Sequence, residues 1–163
     1  MSHINFDETL VLKNIEGENS SDILKYMAAN LYNQGFVKAS YAEAVVAREK
    51  KFATGLPTGG YGVAIPHTDI EHVNQSAISV GILKKPVDFG IMGEETEKTP
   101  VKLVFMLAMH DSHSQLSMLQ SLMGIFQDEE VLTYLATEES EAKIKDEVVS
   151  KLNLSIVKGG EQK

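Results

Sequence analysis

The chain has no cysteine among its 163 residues. That excludes disulfides, thiolate zinc sites and any cysteine nucleophile of its own. It is also short of positive charge, with 15 Lys and Arg against 23 Asp and Glu, a formal net charge of −8. Nucleic-acid binding leaves a basic footprint, so that class is disfavoured. A basic protein partner would suit the charge, and so would simple solubility. No apolar run approaches the ~20 residues of a membrane-spanning helix. Asp7, Glu8, Glu16 and Glu18 near the start do not suit a secretory signal, so a cytoplasmic protein is expected. There is no Gly-x-Ser-x-Gly nucleophile elbow. There is no Walker A loop either, because Gly59-Gly60-Tyr61-Gly62 is not followed by Lys-Ser or Lys-Thr. No internal repeat is evident. What is present is a length suited to one domain with one sizeable core. The hydrophobic fraction, 43%, is ordinary for a soluble globular chain.

Hydrophobic periodicity supplies the elements. Residues 9–13 read as a first short strand. Ser21 and Asp22 are placed to cap a helix whose apolar positions are Ile23, Leu24, Met27, Ala28, Leu31 and Tyr32, with Gly35 ending it in a left-handed conformation. Ser40 and Glu43 fit a capping box that opens a second helix through about Lys51, with Ala44, Val45 and Ala47 on its buried side. The stretch from Thr54 to Gly62 reads as a loop, since it holds four of the twelve glycines and a proline. Ser76 to Leu83 reads as a strand, Lys84-Lys85-Pro86 as a turn, and Val87-Asp88-Phe89 as a short return strand. The acidic run from Glu94 to Glu97 reads as a solvated loop. Val101 to Met109 is the most apolar run, expected as a central strand buried on both faces. Ser112 and Gln115 fit a further capping box. It opens a helix with an apolar side of Leu116, Leu119, Leu122, Met123 and Phe126. Residues 129–136 and 140–152 complete the helices, and the tail from Lys158 is expected to fray. Helices and strands interleave, which predicts a single α/β layered domain over 1–163, its core about 10–152, with a mixed sheet flanked by helices.

The candidate chemistry centres on Gly62-Val63-Ala64-Ile65-Pro66-His67. Val63 to Ile65 reads as a brief buried strand. Pro66 lacks an N–H and should stop it. His67 is then delivered at the strand's end, where an imidazole serves as base, ligand or nucleophile, or merely finishes the strand. His113 follows the end of the other long strand. Were the two strands neighbours, both histidines would share one rim of the sheet, the usual ligand edge of an open α/β fold. His72 and His110 sit in nearby loops, and His3 is expected to be exposed and idle. A zinc site drawing on His67, His72, His110 and His113 with Asp69, Glu71 or Asp111 is the competing reading. It lacks a clear ligand spacing.

Taken together, Arg48-Glu49, Thr54-Gly55, the hexapeptide ending in His67, and Asp111-Ser112-His113 opening a helix with Leu116 and Leu119 resemble the enzyme IIA components of the bacterial phosphoenolpyruvate-dependent sugar phosphotransferase system. The likeness is to the fructose–mannitol class and runs from about Leu10 to Leu152. The Thr54 to Thr58 segment and His67-Thr68-Asp69 resemble the galactitol-specific branch, in which the loop before the histidine is longer.

The resemblance implies a phosphotransferase and a mechanism. His67 accepts a phosphoryl group from the histidine phosphocarrier protein. It passes that group to the enzyme IIB component of a sugar permease, so contact with the membrane is only indirect. His113 and Arg48 map onto the residues that stabilise the phosphoryl group. No metal or other cofactor is implied. Neutral imidazole is the nucleophile, and its ordinary pKa of ~6.5 leaves most of it neutral in a cytosol. Transfer between proteins also needs an exposed nucleophile beside a shallow apolar surface, to which Leu56 and Tyr61 of the glycine-rich loop would contribute. The alternative is a regulatory, nitrogen-related type of enzyme IIA-like module, whose phosphorylation state gates its binding to other proteins.

Overall fold

The computed structural model describes residues 4–152. The expectations for His3 and for the tail from Lys158 lie outside those residues. Five strands, β1 (Val11–Ile15), β2 (Gly55–Leu56), β3 (Val63–Ala64), β4 (Ala77–Gly90) and β5 (Lys98–Ala108), form one sheet in the order β1-β4-β5-β3-β2. β1 runs parallel to β4 and β3 parallel to β5, while β4–β5 and β2–β3 are antiparallel. Five helices flank the sheet: α1 (Ser20–Asn33), α2 (Tyr41–Lys51), α3 (Ser112–Ile125), α4 (Glu129–Thr137) and α5 (Glu141–Leu152). The mixed α/β domain expected from the interleaved pattern is the one observed.

The most apolar run becomes the middle strand. Every side chain from Leu103 to Met109 is buried, which requires cover on both faces of β5. Truncating one such side chain to alanine costs about 2–5 kcal/mol, so β5 is a firm neighbour for β3. The register of β3 on β5 pairs Val63 with Leu103 and Ala64 with Val104. Gly62 is required there: a Cβ would run into the Pro100 carbonyl. Past β3 the backbone stays pinned, because Leu107 donates its N–H to the Pro66 carbonyl at 2.9 Å. The Leu107 carbonyl in turn accepts from the buried Tyr41 hydroxyl of α2 at 2.6 Å.

Several local expectations are corrected. Lys84-Lys85-Pro86 does not turn the chain. β4 continues through it as an irregularity, with Ile82 opposite Leu103 and Val87 opposite Val101. All three residues are exposed, and a bulge is where a proline's missing N–H is tolerated within a sheet. The glycine-rich segment contains strand β2, which pairs Gly55 with Ala64 and Leu56 with Val63. Thr9 and Leu10 belong to a short 3-10 turn capped by Asp7, not to β1. Helix caps fall one or two residues from the expected ones. Asn19 caps α1 by accepting from the Asp22 N–H at 3.0 Å, and Asp111 caps α3 by accepting from the Ser114 N–H at 2.7 Å. Ser40 precedes α2 but makes no side-chain cap. On α2 the buried positions are Tyr41, Val45 and Glu49, while Ala47 is exposed. On α3, Met118 and Leu122 face the core, whereas Leu116 is 57% and Met123 39% exposed.

Candidate active site

Because β3 and β5 are parallel neighbours, their C-terminal ends reach the same end of the sheet. His67 and the start of α3 therefore meet there, as expected of an open α/β edge. His67 is nearly buried, at 9% relative exposure, and not the exposed side chain expected. Its Nδ1 lies 2.8 Å from the Ile65 carbonyl oxygen. A carbonyl only accepts, so Nδ1 carries the proton and Nε2 keeps the lone pair. Burial lowers the imidazole pKa below its ordinary value. The Ile65 bond opposes that shift and the nearby Arg48 charge adds to it. The ring is thus held neutral and in one tautomer.

A hydrogen-bonded chain stands behind this arrangement. Glu49, in the last turn of α2, is buried. Its two carboxylate oxygens accept from Thr54, one from the backbone N–H at 2.8 Å and the other from the hydroxyl at 2.9 Å. The Thr54 hydroxyl oxygen accepts the Ile65 N–H at 3.1 Å. Burial raises the Glu49 pKa, and the two Thr54 bonds pull it back.

A cavity of about 310 Å³ opens beside His67, lined among others by Arg48, Phe52, Met92, Leu119 and Met123. The Arg48 guanidinium lies over the Phe52 ring, 4.9 Å from its centroid, and 3.8 Å from the Asp69 carboxylate. That ion pair is exposed and contributes little. The Arg48 Nε is buried and has no hydrogen-bond partner. A donor left unsatisfied costs about 1–3 kcal/mol. Phe52, Met92 and Met123 are each more than a third exposed, as is Leu116. His67 therefore sits beside an apolar rim.

The structure brings Arg48 to His67 but leaves His113 exposed and outside that cavity's lining. Gln115, two residues further along α3, is half-buried and likewise outside that lining. Its Oε1 is buried without a partner, one helical turn before Leu119 on the same side of the helix. It was expected to cap α3 with Ser112. Asp111 takes that role. His72 accepts or donates at 2.7 Å with Ser40 and pairs with Glu71, and His110 is exposed. Among the described residues no three His, Asp or Glu side chains gather as a metal site would need. Glu49 and Thr54 stand in the motif that carries the resemblance, but no role was read for them. The available signal was a carboxylate recurring four residues after Tyr41 and Val45 on a buried stripe.

The chain matches, over residues 4–151, the family described as phosphoenolpyruvate-dependent sugar phosphotransferase system, EIIA 2. It belongs to that family. Enzyme IIA proteins are phosphotransferases that work through a phosphohistidine. Among curated relatives, it is 33% identical over 132 residues to the transcriptional regulator ManR of Bacillus subtilis, a match covering 80% of this chain and 19% of that protein. It is 28% identical over 117 residues to the galactitol-specific EIIA component of Escherichia coli K12, covering 72% of this chain and 77% of that one. The chain thus spans about a fifth of the regulator and most of the galactitol component. Among solved structures, the complex of enzyme IIA and phosphorylated enzyme IIB for mannitol from Escherichia coli matches with a TM-score of 0.71 at 23% identity. That match covers 92% of this chain and 98% of the other. At that identity the likeness speaks for the fold. Among the described residues no helix is long and apolar enough to cross a membrane.

Proposed function

We propose that His67 is the residue that carries the phosphoryl group, on Nε2, between the phosphohistidine of the histidine phosphocarrier protein and a cysteine of an enzyme IIB. The observation that carries this reading is the 2.8 Å Nδ1–Ile65 bond, which leaves the lone pair on Nε2 of a neutral ring. In the first transfer the donor's P–N bond breaks as the bond from phosphorus to Nε2 forms. His67 keeps its Nδ1 proton, so the phosphorylated ring gains positive charge, and the Ile65 carbonyl steadies it. The same charge makes the ring a good leaving group in the onward step. The transferring group is metaphosphate-like, so positioning and charge outweigh acid–base work. Arg48, which lines the cavity, counters the phosphoryl charge. On α3 the candidates for support are His113, exposed at the start of the helix, and Gln115, whose amide oxygen is buried without a partner. The amide's two ends are interchangeable by rotation about its last bond, so it can present N–H to a phosphoryl oxygen. Phe52, Met92, Leu116 and Met123 form the apolar surface on which both partner proteins dock.

Likeness to the galactitol-specific component favours a galactitol-type enzyme IIB. Likeness to ManR supports a second reading, a regulatory module whose phosphorylation gates protein binding. Reconstitution separates them. The protein is phosphorylated by phosphoenolpyruvate, enzyme I and the phosphocarrier, and the acid-labile label is mapped. It is then offered to galactitol, fructose and mannitol types of enzyme IIB at equal concentration. Label on His67 and fastest transfer to the galactitol type is the expected result. Label that persists in His67→Ala overturns the acceptor. Fastest transfer to another type overturns the galactitol assignment, and transfer to none favours the regulatory reading.

A further inference from the structure

We infer that Glu49, acting through Thr54, is a positioning residue for His67: the pair clamps the Ile65 backbone so that its carbonyl keeps the imidazole proton on Nδ1. This rests on the reading of His67 as the phosphoryl acceptor. Three observations carry it. The first is the connected chain of bonds from the Glu49 carboxylate through the Thr54 hydroxyl to the Ile65 N–H, and from the Ile65 carbonyl to the His67 Nδ1–H. The second is that Glu49 receives both Thr54 donors, the N–H on one oxygen and the hydroxyl on the other. Only an acceptor-only carboxylate accepts both, because an amide would set an NH2 against one of them. With its proton committed to Glu49, the Thr54 hydroxyl meets Ile65 as an acceptor. The third is the setting of the Ile65 carbonyl, which belongs to an Ile-Pro bond with no N–H. The next carbonyl along, that of Pro66, is tied to Leu107. Residue 65 is thus held by Thr54 on its amino side, and Pro66 is held by β5. The Ile65 carbonyl then sets the orientation of the His67 imidazole.

A buried carboxylate is costly unless it is fully hydrogen-bonded. Among the described contacts, Glu49 makes no ion pair with a lysine or arginine, and its two bonds go to the residue that leads to the nucleophile. A purely structural carboxylate would serve as well with any donor, whereas this one arranges the segment that presents His67.

The test is made on the full chain with Thr54→Val, Thr54→Ser and Glu49→Gln, folding being checked by circular dichroism. Two quantities are read. One is the 15N chemical shifts of the His67 ring, which report its tautomer. The other is the rate of phosphoryl acceptance as a function of phosphocarrier concentration. In Thr54→Val the Nδ1–H tautomer is expected to lose its dominance. The maximal rate should fall on the order of 10²-fold, the scale of a 1 Å misplacement, with half-saturation unchanged. Thr54→Ser should restore both quantities, and Glu49→Gln should resemble Thr54→Val. Should Thr54→Val fail to fold, Glu49→Gln with Thr54→Ser decides the matter. A wild-type tautomer and rate in the loss-of-bond variants overturns the inference. So does a slower rate with an unchanged tautomer and raised half-saturation, which would mark a docking effect. Failure of the underlying reading is seen separately, as wild-type protein that takes no label on His67.

Discussion

The His67 ring donates from Nδ1 to the carbonyl of Ile65, two residues back along its own chain, at 2.8 Å. A bond this local makes the tautomer a property of the strand end. Phosphoryl acceptance should then follow the neutral ring. Burial and the Arg48 charge both lower its pKa below 6.5. Acceptance should be flat from pH 8 down past ~6.5 and fall only below that, whereas a solvent-exposed histidine would already be losing rate there. Single-turnover rates across pH 5–8 check this, with the donor prepared separately. Stability follows the same sign. A lowered folded pKa means that the unfolded state binds the proton more readily, so this contribution is present above the unfolded value of 6.5. It is lost as the pH falls through the folded value. Urea melts of wild type and His67→Gln should converge in that acidic window. A wild-type rate that declines from pH 7.5 would contradict the buried, neutral ring.

Much of this arrangement was legible in the sequence because it depends on short-range patterning. The apolar run into Met109 could only be a strand covered on both sides, and Pro66 marked where β3 must stop. What stayed hidden depends on partners distant in the chain. Gly55-Leu56 pairs with β3 across a glycine-rich hairpin too short to show periodicity. Lys84-Lys85-Pro86 carries turn chemistry, yet the long pairing of β4 with β5 on either side overrides it. Ser40 reads as a cap, but its hydroxyl bonds to His72, 32 residues away. Glu49 has the charge of a surface residue, and only the fold shows its carboxylate turned toward Thr54. His113 and Gln115 differ by two positions, enough to reverse which side of the helix each occupies.

Removing the Arg48 side chain should have two effects of predictable sign. Arg48→Ala loses a charged donor from the transfer site and should slow acceptance by ~10²–10³-fold. It also removes a positive charge that depresses the His67 pKa, so the acidic edge of the rate profile should move to higher pH. Arg48→Lys keeps the charge and loses the planar fork. It should hold the pH edge near wild type and recover only part of the rate. Unchanged kinetics and an unmoved edge in Arg48→Ala would remove this residue from the site.

Gln115 and His113 can be separated by paired variants. Gln115 has a buried amide oxygen without a partner, while His113 is exposed. A hydrogen bond to a charged group contributes about 1.5–3 kcal/mol, so Gln115→Ala should slow acceptance by ~10–10²-fold. His113→Ala should stay within about twofold of wild type, since surface changes away from a site have small effects. Gln115→His is the informative third variant, as it places an imidazole at the half-buried position. The opposite ranking, with His113→Ala slow and Gln115→Ala normal, would return the supporting role to His113.

The apolar rim should matter to protein partners and not to small donors. Leu116 and Met123 lie seven residues apart on α3, on one side with the cavity-lining Leu119, and Phe52 and Met92 line the same cavity as His67 and Met123. All four are substantially exposed, so a charge introduced there costs the fold little. It would, however, have to be desolvated under a docked protein. Leu116→Glu and Met123→Glu should therefore raise half-saturation for both the phosphocarrier and the enzyme IIB. The rise should be about 30-fold if either is a hot spot worth ~2 kcal/mol. Phosphorylation of His67 by a small P–N donor such as phosphoramidate needs no docking surface and should proceed at the wild-type rate. Loss of that reaction too would mean that the rim supports the nucleophile itself. Normal transfer with both proteins would place the docking surface elsewhere on the molecule.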